Sequence, residues 1–125
     1  MTVHTIAIVD DDESVLQAIG RLVRSLGYEV ELFASGRQLL ESEGLSHINC
    51  VITDVEMPCM DGLELSQCLR RIGHAAPIIF ISGVVDAGYE ERARTTVNAC
   101  FLSKPFAEQD LIDCIELALY PPPLR

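Results

Sequence analysis

Four apolar runs in this 125-residue chain each end on a side chain that can do chemistry. The run Thr5–Val9 opens into Asp10, Asp11, Asp12 and Glu13, and the run Cys50–Thr53 opens into Asp54. A third run, Ile78–Ile81, ends on the hydroxyl of Ser82, and Cys100–Ser103 leads into Lys104 and Pro105. Crowded carboxylates raise one another's pKa unless a cation sits among them. Hard oxygen ligands with no histidine or cysteine beside them suit Mg²⁺, or Mn²⁺ in its place. An aspartate next to such an ion is a competent nucleophile towards phosphorus. A lysine ammonium and a hydroxyl donor supply the charge stabilisation that phosphoryl transfer needs.

Those residues work together only if the chain brings the run ends to one edge. The segments TIAIV (5–9), CVIT (50–53), IIFIS (78–82) and CFLS (100–103) are short and apolar, as expected for strands covered on both faces. YEVELF (28–33) alternates strictly and predicts a half-exposed edge strand. Between the strands, Val15, Leu16, Ile19, Leu22, Val23 and Leu26 recur at helical spacing, with Gly27 as a stop. Ser35 caps a short helix through Leu40, and a third helix carries Leu63, Leu65, Leu69 and Ile72. A weaker helix is expected over 88–98, and Leu111, Ile112, Ile115 and Leu119 stripe the last one. Five βα units with short links predict a parallel, doubly wound sheet with helices on both faces. In such a sheet ligands bind beyond the carboxyl ends of the strands, where the four run ends lie.

Length and composition fit one ordinary globular domain, with 49% hydrophobic and 22% charged residues. A net charge of −10 excludes direct nucleic-acid binding by this surface, since little here would neutralise a row of phosphates. The five cysteines, at 50, 59, 68, 100 and 114, form no CxxC pair and predict reduced thiols in a cytosolic protein. No targeting signal or membrane span is visible in the sequence, so a cytoplasmic location and no membrane partner are expected. The chain ends in YPPPLR, which predicts a domain over 1–119 and a proline-rich tail or linker start over 120–125.

The stretches IVDDDESV, ITDVEMPCMDGLEL, IFISG and CFLSKPF, in this order and spacing, resemble the receiver domains of two-component response regulators, nearest in wording to the FixJ-type group. The resemblance covers residues 5 to about 119. It implies a flavodoxin-like (βα)₅ fold with strand order 2-1-3-4-5, and a domain that takes a phosphoryl group from a histidine kinase or phosphotransfer protein. It further implies Asp54 as phosphoacceptor, with Mg²⁺ held by Asp10, Asp11, Asp54 and the backbone carbonyl of Glu56. Ser82 and Lys104 would contact the phosphoryl group, Phe101 would switch as Ser82 moves, and the peptide to Pro105 would be cis. Kinase docking is expected near Val15, Ala18, Pro105 and Phe106. Output is expected through the helix at 88–98, the fifth strand and the last helix, to an effector domain or partner, with phosphorylation-dependent dimerisation. The family usually carries Gly-Ala where this chain has Val97-Asn98, and often alanine where it has Gly83.

Two other classes fit less well. A phosphatase of the haloacid-dehalogenase type needs a DxDxT setting, whereas Asp54 is followed by Val55-Glu56-Met57-Pro58. A flavin-mononucleotide binder needs a phosphate-cradling loop after the first strand, and four acids stand there instead. A receiver that signals without phosphorylation remains a third reading. Asp12 and Glu13 are expected to complement a helix dipole, and Asp61 and Gly62 to shape the turn into the third helix. Met57 and Met60 are read as packing, and His4, His47 and His74 are assigned no role.

Overall fold

The computed structural model describes residues 3–83, 91 and 99–122. The elements run β1 (Thr5–Val9), α1 (Glu13–Ser25), β2 (Glu29–Phe33), α2 (Gly36–Leu40), a single 3₁₀ turn (Leu45–His47), β3 (Cys50–Asp54), α3 (Gly62–Arg71), β4 (Ile78–Ser82), β5 (Ala99–Ser103) and α4 (Glu108–Leu119). The five strands form one parallel sheet in the order β2-β1-β3-β4-β5. The expected helix at 88–98, with Val97 and Asn98, falls outside the described residues except for residue 91.

Burial follows the strand patterns. The apolar runs of β3 and β4 are buried throughout, as parallel strands flanked by helices must be. The alternating β2 stands at the sheet edge with every second residue exposed at its start. Because successive side chains point to opposite faces, the sheet feeds two cores. One gathers Ile6, Ile8, Ile52, Ile79 and Ile81 under α1 and α4. The other gathers Ala7, Val9, Val51, Ile78 and Phe80 under α2 and α3.

The starts of α1, α2 and α3 are each fixed by a local acceptor. Asp12 caps α1 by accepting from the N–H of Ser14, and Ser35 caps α2 by accepting from that of Gln38. Asp61 and Glu64 form a reciprocal capping box at α3. Gly27 follows α1 at φ 95°, a left-handed conformation that suits glycine. Among the described residues, no helix is long and apolar enough to cross a membrane.

Two expectations are corrected. Ile72 does not extend the apolar stripe of α3; it is the residue after the helix end and is 60% exposed, because the helix stops at Arg71. The cysteines are not all reduced thiols. Cys100 on β5 and Cys114 on α4 are joined as a disulfide, their Cα atoms 6.3 Å apart, while Cys50, Cys59 and Cys68 are free. Both bonded residues point into the core beneath α4, so a pairing 14 residues apart is set by strand-on-helix packing that cysteine spacing does not reveal.

Candidate functional site

Register decides which side chains meet at the carboxyl ends of the strands. Val9 pairs with Thr53, so the next residues, Asp10 and Asp54, leave the sheet side by side. Asp54 pairs with Ile81, and the N–H of Val55 donates to the Ile81 carbonyl at 2.9 Å, which brings Ser82 alongside the turn after Asp54. Ser82 pairs with Ser103, and the N–H of Lys104 donates to the Ser82 carbonyl at 2.7 Å. Four side chains from four strands are thereby fixed by main-chain hydrogen bonds. The peptide from Lys104 to Pro105 is cis.

The Lys104 ammonium lies 3.8 Å from Asp10 Oδ2 and 3.9 Å from Asp54 Oδ1. Carboxylate oxygens of Asp10, Asp11 and Asp54 all lie within 4.8 Å of one another. Asp10 and Asp54 are buried, whereas Asp11 faces solvent. Burial, then the charge of Asp10, pushes the Asp54 carboxyl from an ordinary 3.8 up to about 6, against the opposing pull of Lys104. Burial also raises Asp10, offset by the N–H of Asp12, which donates to Asp10 Oδ1 at 2.9 Å, and by Lys104. Two buried acids with raised pKa values, a third acid facing solvent and only oxygen donors are the setting a hard divalent cation stabilises.

Glu56 enters by a route the sequence does not expose. Its N–H donates to Asp54 Oδ1 at 3.4 Å, and its carboxylate Oε1 accepts from the Ser82 hydroxyl at 3.3 Å. An acid two residues beyond a strand-end aspartate is a visible signal; its partner, 26 residues away, depends on register. Gly62 supports Asp54 from behind, because a Cβ there would collide with the Asp54 carbonyl oxygen. Asp12 and Glu13 serve the start of α1, and Asp61 that of α3.

The remaining expected residues spread outward. Phe101 is half-buried on β5 and packs against the core under α2 and α3. Val15 and Phe106 are half-buried against the other core, while Ala18 and Pro105 are exposed. An apolar hollow of about 320 Å³ lies at the opposite ends of β4 and β5, lined by Ile78, Ala99, Cys100, Cys114 and Leu117. It touches none of the site carboxylates.

Comparison with known proteins agrees with this fold. Residues 6–116 match the family model described as the response regulator receiver domain. The response regulator protein TmoT of Ectopseudomonas mendocina is 43% identical over 114 residues, which span 91% of this chain and 52% of that protein. Nodulation protein W of Bradyrhizobium diazoefficiens is 38% identical over 111 residues, 89% of this chain and 49% of that one. The chain therefore spans about half the length of the curated relatives it matches. Among solved structures, FixJ-N superposes with a TM-score of 0.85 at 28% identity, all of both chains covered. The chemotaxis protein CheY4 of Vibrio cholerae superposes at 0.84 and 26% identity, covering 94% of this chain and 100% of that one. With a matching family model over nearly its whole length, the chain belongs to the response-regulator receiver-domain family.

Proposed function

We propose that Asp54 accepts a phosphoryl group from the phosphohistidine of a kinase or phosphotransfer protein in the cytoplasm, and that the domain passes the resulting change to an effector. One observation carries this reading: the Asp54 carboxylate lies 3.9 Å from the Lys104 ammonium and shares its immediate space with Asp10 and Asp11. Asp54 Oδ attacks phosphorus, the O–P bond forms as the histidine N–P bond breaks, and the released imidazole takes up a proton. At neutral pH a carboxyl that titrates near 6 is mostly ionised, hence nucleophilic. Lys104 holds the incoming phosphoryl oxygens in line, and the Ser82 hydroxyl turns to donate to them. Asp10, Asp11, Asp54 and the Glu56 carbonyl would hold Mg²⁺ or Mn²⁺, which supplies charge neutralisation at the phosphoryl oxygens. No external substrate turns over beyond transfer to Asp54 and slow hydrolysis from it.

In this reading Phe101 follows Ser82 inward and changes the surface of the 88–98 segment, β5 and α4, a local charge event biasing a two-state element. The kinase docks on the exposed face of α1 around Val15 and Ala18 and on the loop at Pro105 and Phe106. Residues 1–119 form the receiver unit and 120–125 a tail or linker. An output domain after such a linker fits the partial coverage of relatives, one of which is the transcriptional regulatory protein TdiR of Thauera aromatica. The altered surface also pairs two phosphorylated copies; a single monomeric species by gel filtration, with and without a phosphoryl mimic, rules that out.

Intact mass after incubation with acetyl phosphate and Mg²⁺ tests the acceptor. The wild type gains one phosphoryl adduct, and both Asp54→Asn and an EDTA control lose it. An unlabelled wild type that is folded and binds Mg²⁺ overturns the reading and favours a receiver that signals without phosphorylation.

A further inference from the structure

We infer that the Glu56 carboxylate is a latch on the Ser82 hydroxyl, holding the unphosphorylated domain in its resting arrangement. The inference rests on the phosphoacceptor reading above and adds a positioning residue to it. Ser82 is 1% exposed, and its main chain is tied to β5, by the β4–β5 pairing and by the N–H of Lys104 on its carbonyl. With the backbone held there, its hydroxyl answers a ligand by rotation about χ1. In the resting structure that hydroxyl donates to Glu56 Oε1.

A serine hydroxyl carries one proton, so it can donate to Glu56 or to a phosphoryl oxygen but not to both. Phosphorylation must therefore break the Glu56 contact before Ser82 can serve the acceptor. The contact, at 3.3 Å, is longer than an ordinary O–H···O bond, although its acceptor is charged. A weak, charge-assisted bond makes a modest latch, one that shifts the balance between resting and active arrangements several-fold rather than locking it. Glu56 is well placed for this. It follows Asp54 by two residues, its own N–H reaches Asp54 Oδ1, and its side chain is exposed, so releasing it leaves no buried charge behind.

Affinity for beryllofluoride, a phosphoryl mimic, tests the latch in the presence of Mg²⁺, read by calorimetry and by fluorine NMR of the bound mimic. Neither readout requires turnover, and Glu56→Ala keeps the backbone carbonyl assigned to the metal. Glu56→Ala should bind the mimic about three- to tenfold more tightly than the wild type. Glu56→Gln, which keeps an acceptor oxygen without the charge, should fall between them. In a Ser82→Ala background the Glu56→Ala gain should vanish, because no hydroxyl is left to release. An equal gain with and without Ser82 would mean that Glu56 acts by charge repulsion alone, and overturns the latch. So does a wild type that binds the mimic no less tightly than Glu56→Ala. A folded wild type that does not bind the mimic at all overturns the phosphoacceptor reading, and the latch with it.

Discussion

The bodies of the five strands and their carboxyl tips obey opposite rules. Along the bodies every fully buried large side chain is apolar, from Ile6 and Ile8 through Ile52 to Phe80. Among the described residues the buried polar groups are Asp10, Thr53, Asp54, Ser66 and Ser82, and all but Ser66 stand at or next to a strand's carboxyl end. Ser66, on α3, donates to the Leu63 carbonyl at 2.7 Å, an ordinary local bond within its own helix. The bodies gain stability from burial, whereas the tips hold groups whose burial costs free energy unless a partner arrives. The contrast separates the part of the sheet that builds the frame from the part that carries the candidate site.

The largest test strikes the frame. Phe80 is fully buried in the second core, and Phe80→Ala should destabilise by about 3–5 kcal/mol. Urea denaturation measures it, and the loss should be the same with and without Mg²⁺ if bodies and tips are energetically separate. A loss that shrinks when Mg²⁺ is added would break the comparison. Next comes Gly62, where frame and tip touch. Gly62→Ala sets a Cβ against the Asp54 carbonyl oxygen, and backbone must shift to relieve it, at about 2–3 kcal/mol. Unlike Phe80→Ala, this change should also slow phosphoryl uptake in the intact-mass assay, because what moves is Asp54's own peptide.

At the tip the sign reverses. The Asp54 carboxyl is raised from 3.8 to about 6, so the fold prefers it protonated. Below 3.8 the group carries its proton whether folded or not, and nothing is lost. Between 3.8 and about 6 the cost of the buried charge grows with pH, and above that it is complete. The shift corresponds to about 3 kcal/mol. In metal-free buffer, Asp54→Asn should therefore be more stable than the wild type near neutral pH. The two midpoints should converge as pH falls towards 3.8. Asp54→Asn melting below the wild type at neutral pH would show that the acid is not held at a cost.

The division between bodies and tips also marks what the sequence made legible. Each strand is a short apolar run between turn residues, and a parallel sheet needs little more, so all five are visible within a residue at either end. Asp54 extends β3 by one because it pairs with Ile81 and the next N–H, that of Val55, still donates to the Ile81 carbonyl, which composition does not encode. Asp10, Asp54, Ser82 and Lys104 stand out because polar groups closing apolar runs are conspicuous. What stayed hidden depends on side chains meeting across elements. The contact of Glu56 with Ser82 and the bond between Cys100 and Cys114 both require knowing which strand or helix lies alongside. Ile72 misled for a simpler reason: helical spacing does not say where a helix stops.

The smallest prediction asks whether every polar group near the tips belongs to the binding apparatus. Asp61 is the control, a carboxylate one residue from Gly62 and so close to the turn after Asp54, yet aimed elsewhere. Its carboxylate accepts from the N–H of Glu64 at 2.8 Å, while the Glu64 carboxylate accepts from the N–H of Asp61 at 3.1 Å. Two N–H groups that the first turn of α3 would leave unpaired are thereby satisfied. Asp61→Ala should destabilise by about 1 kcal/mol, and Asp61→Ser, which restores an acceptor, by less than half of that. Mg²⁺ affinity by calorimetry should be unchanged in both, whereas Asp11→Asn should weaken it with little effect on the melting point of the metal-free protein. If Asp61→Ala weakens Mg²⁺ binding as much as Asp11→Asn does, the turn after Asp54 and the helix cap are one unit. The boundary between frame and site would then lie one turn further into α3.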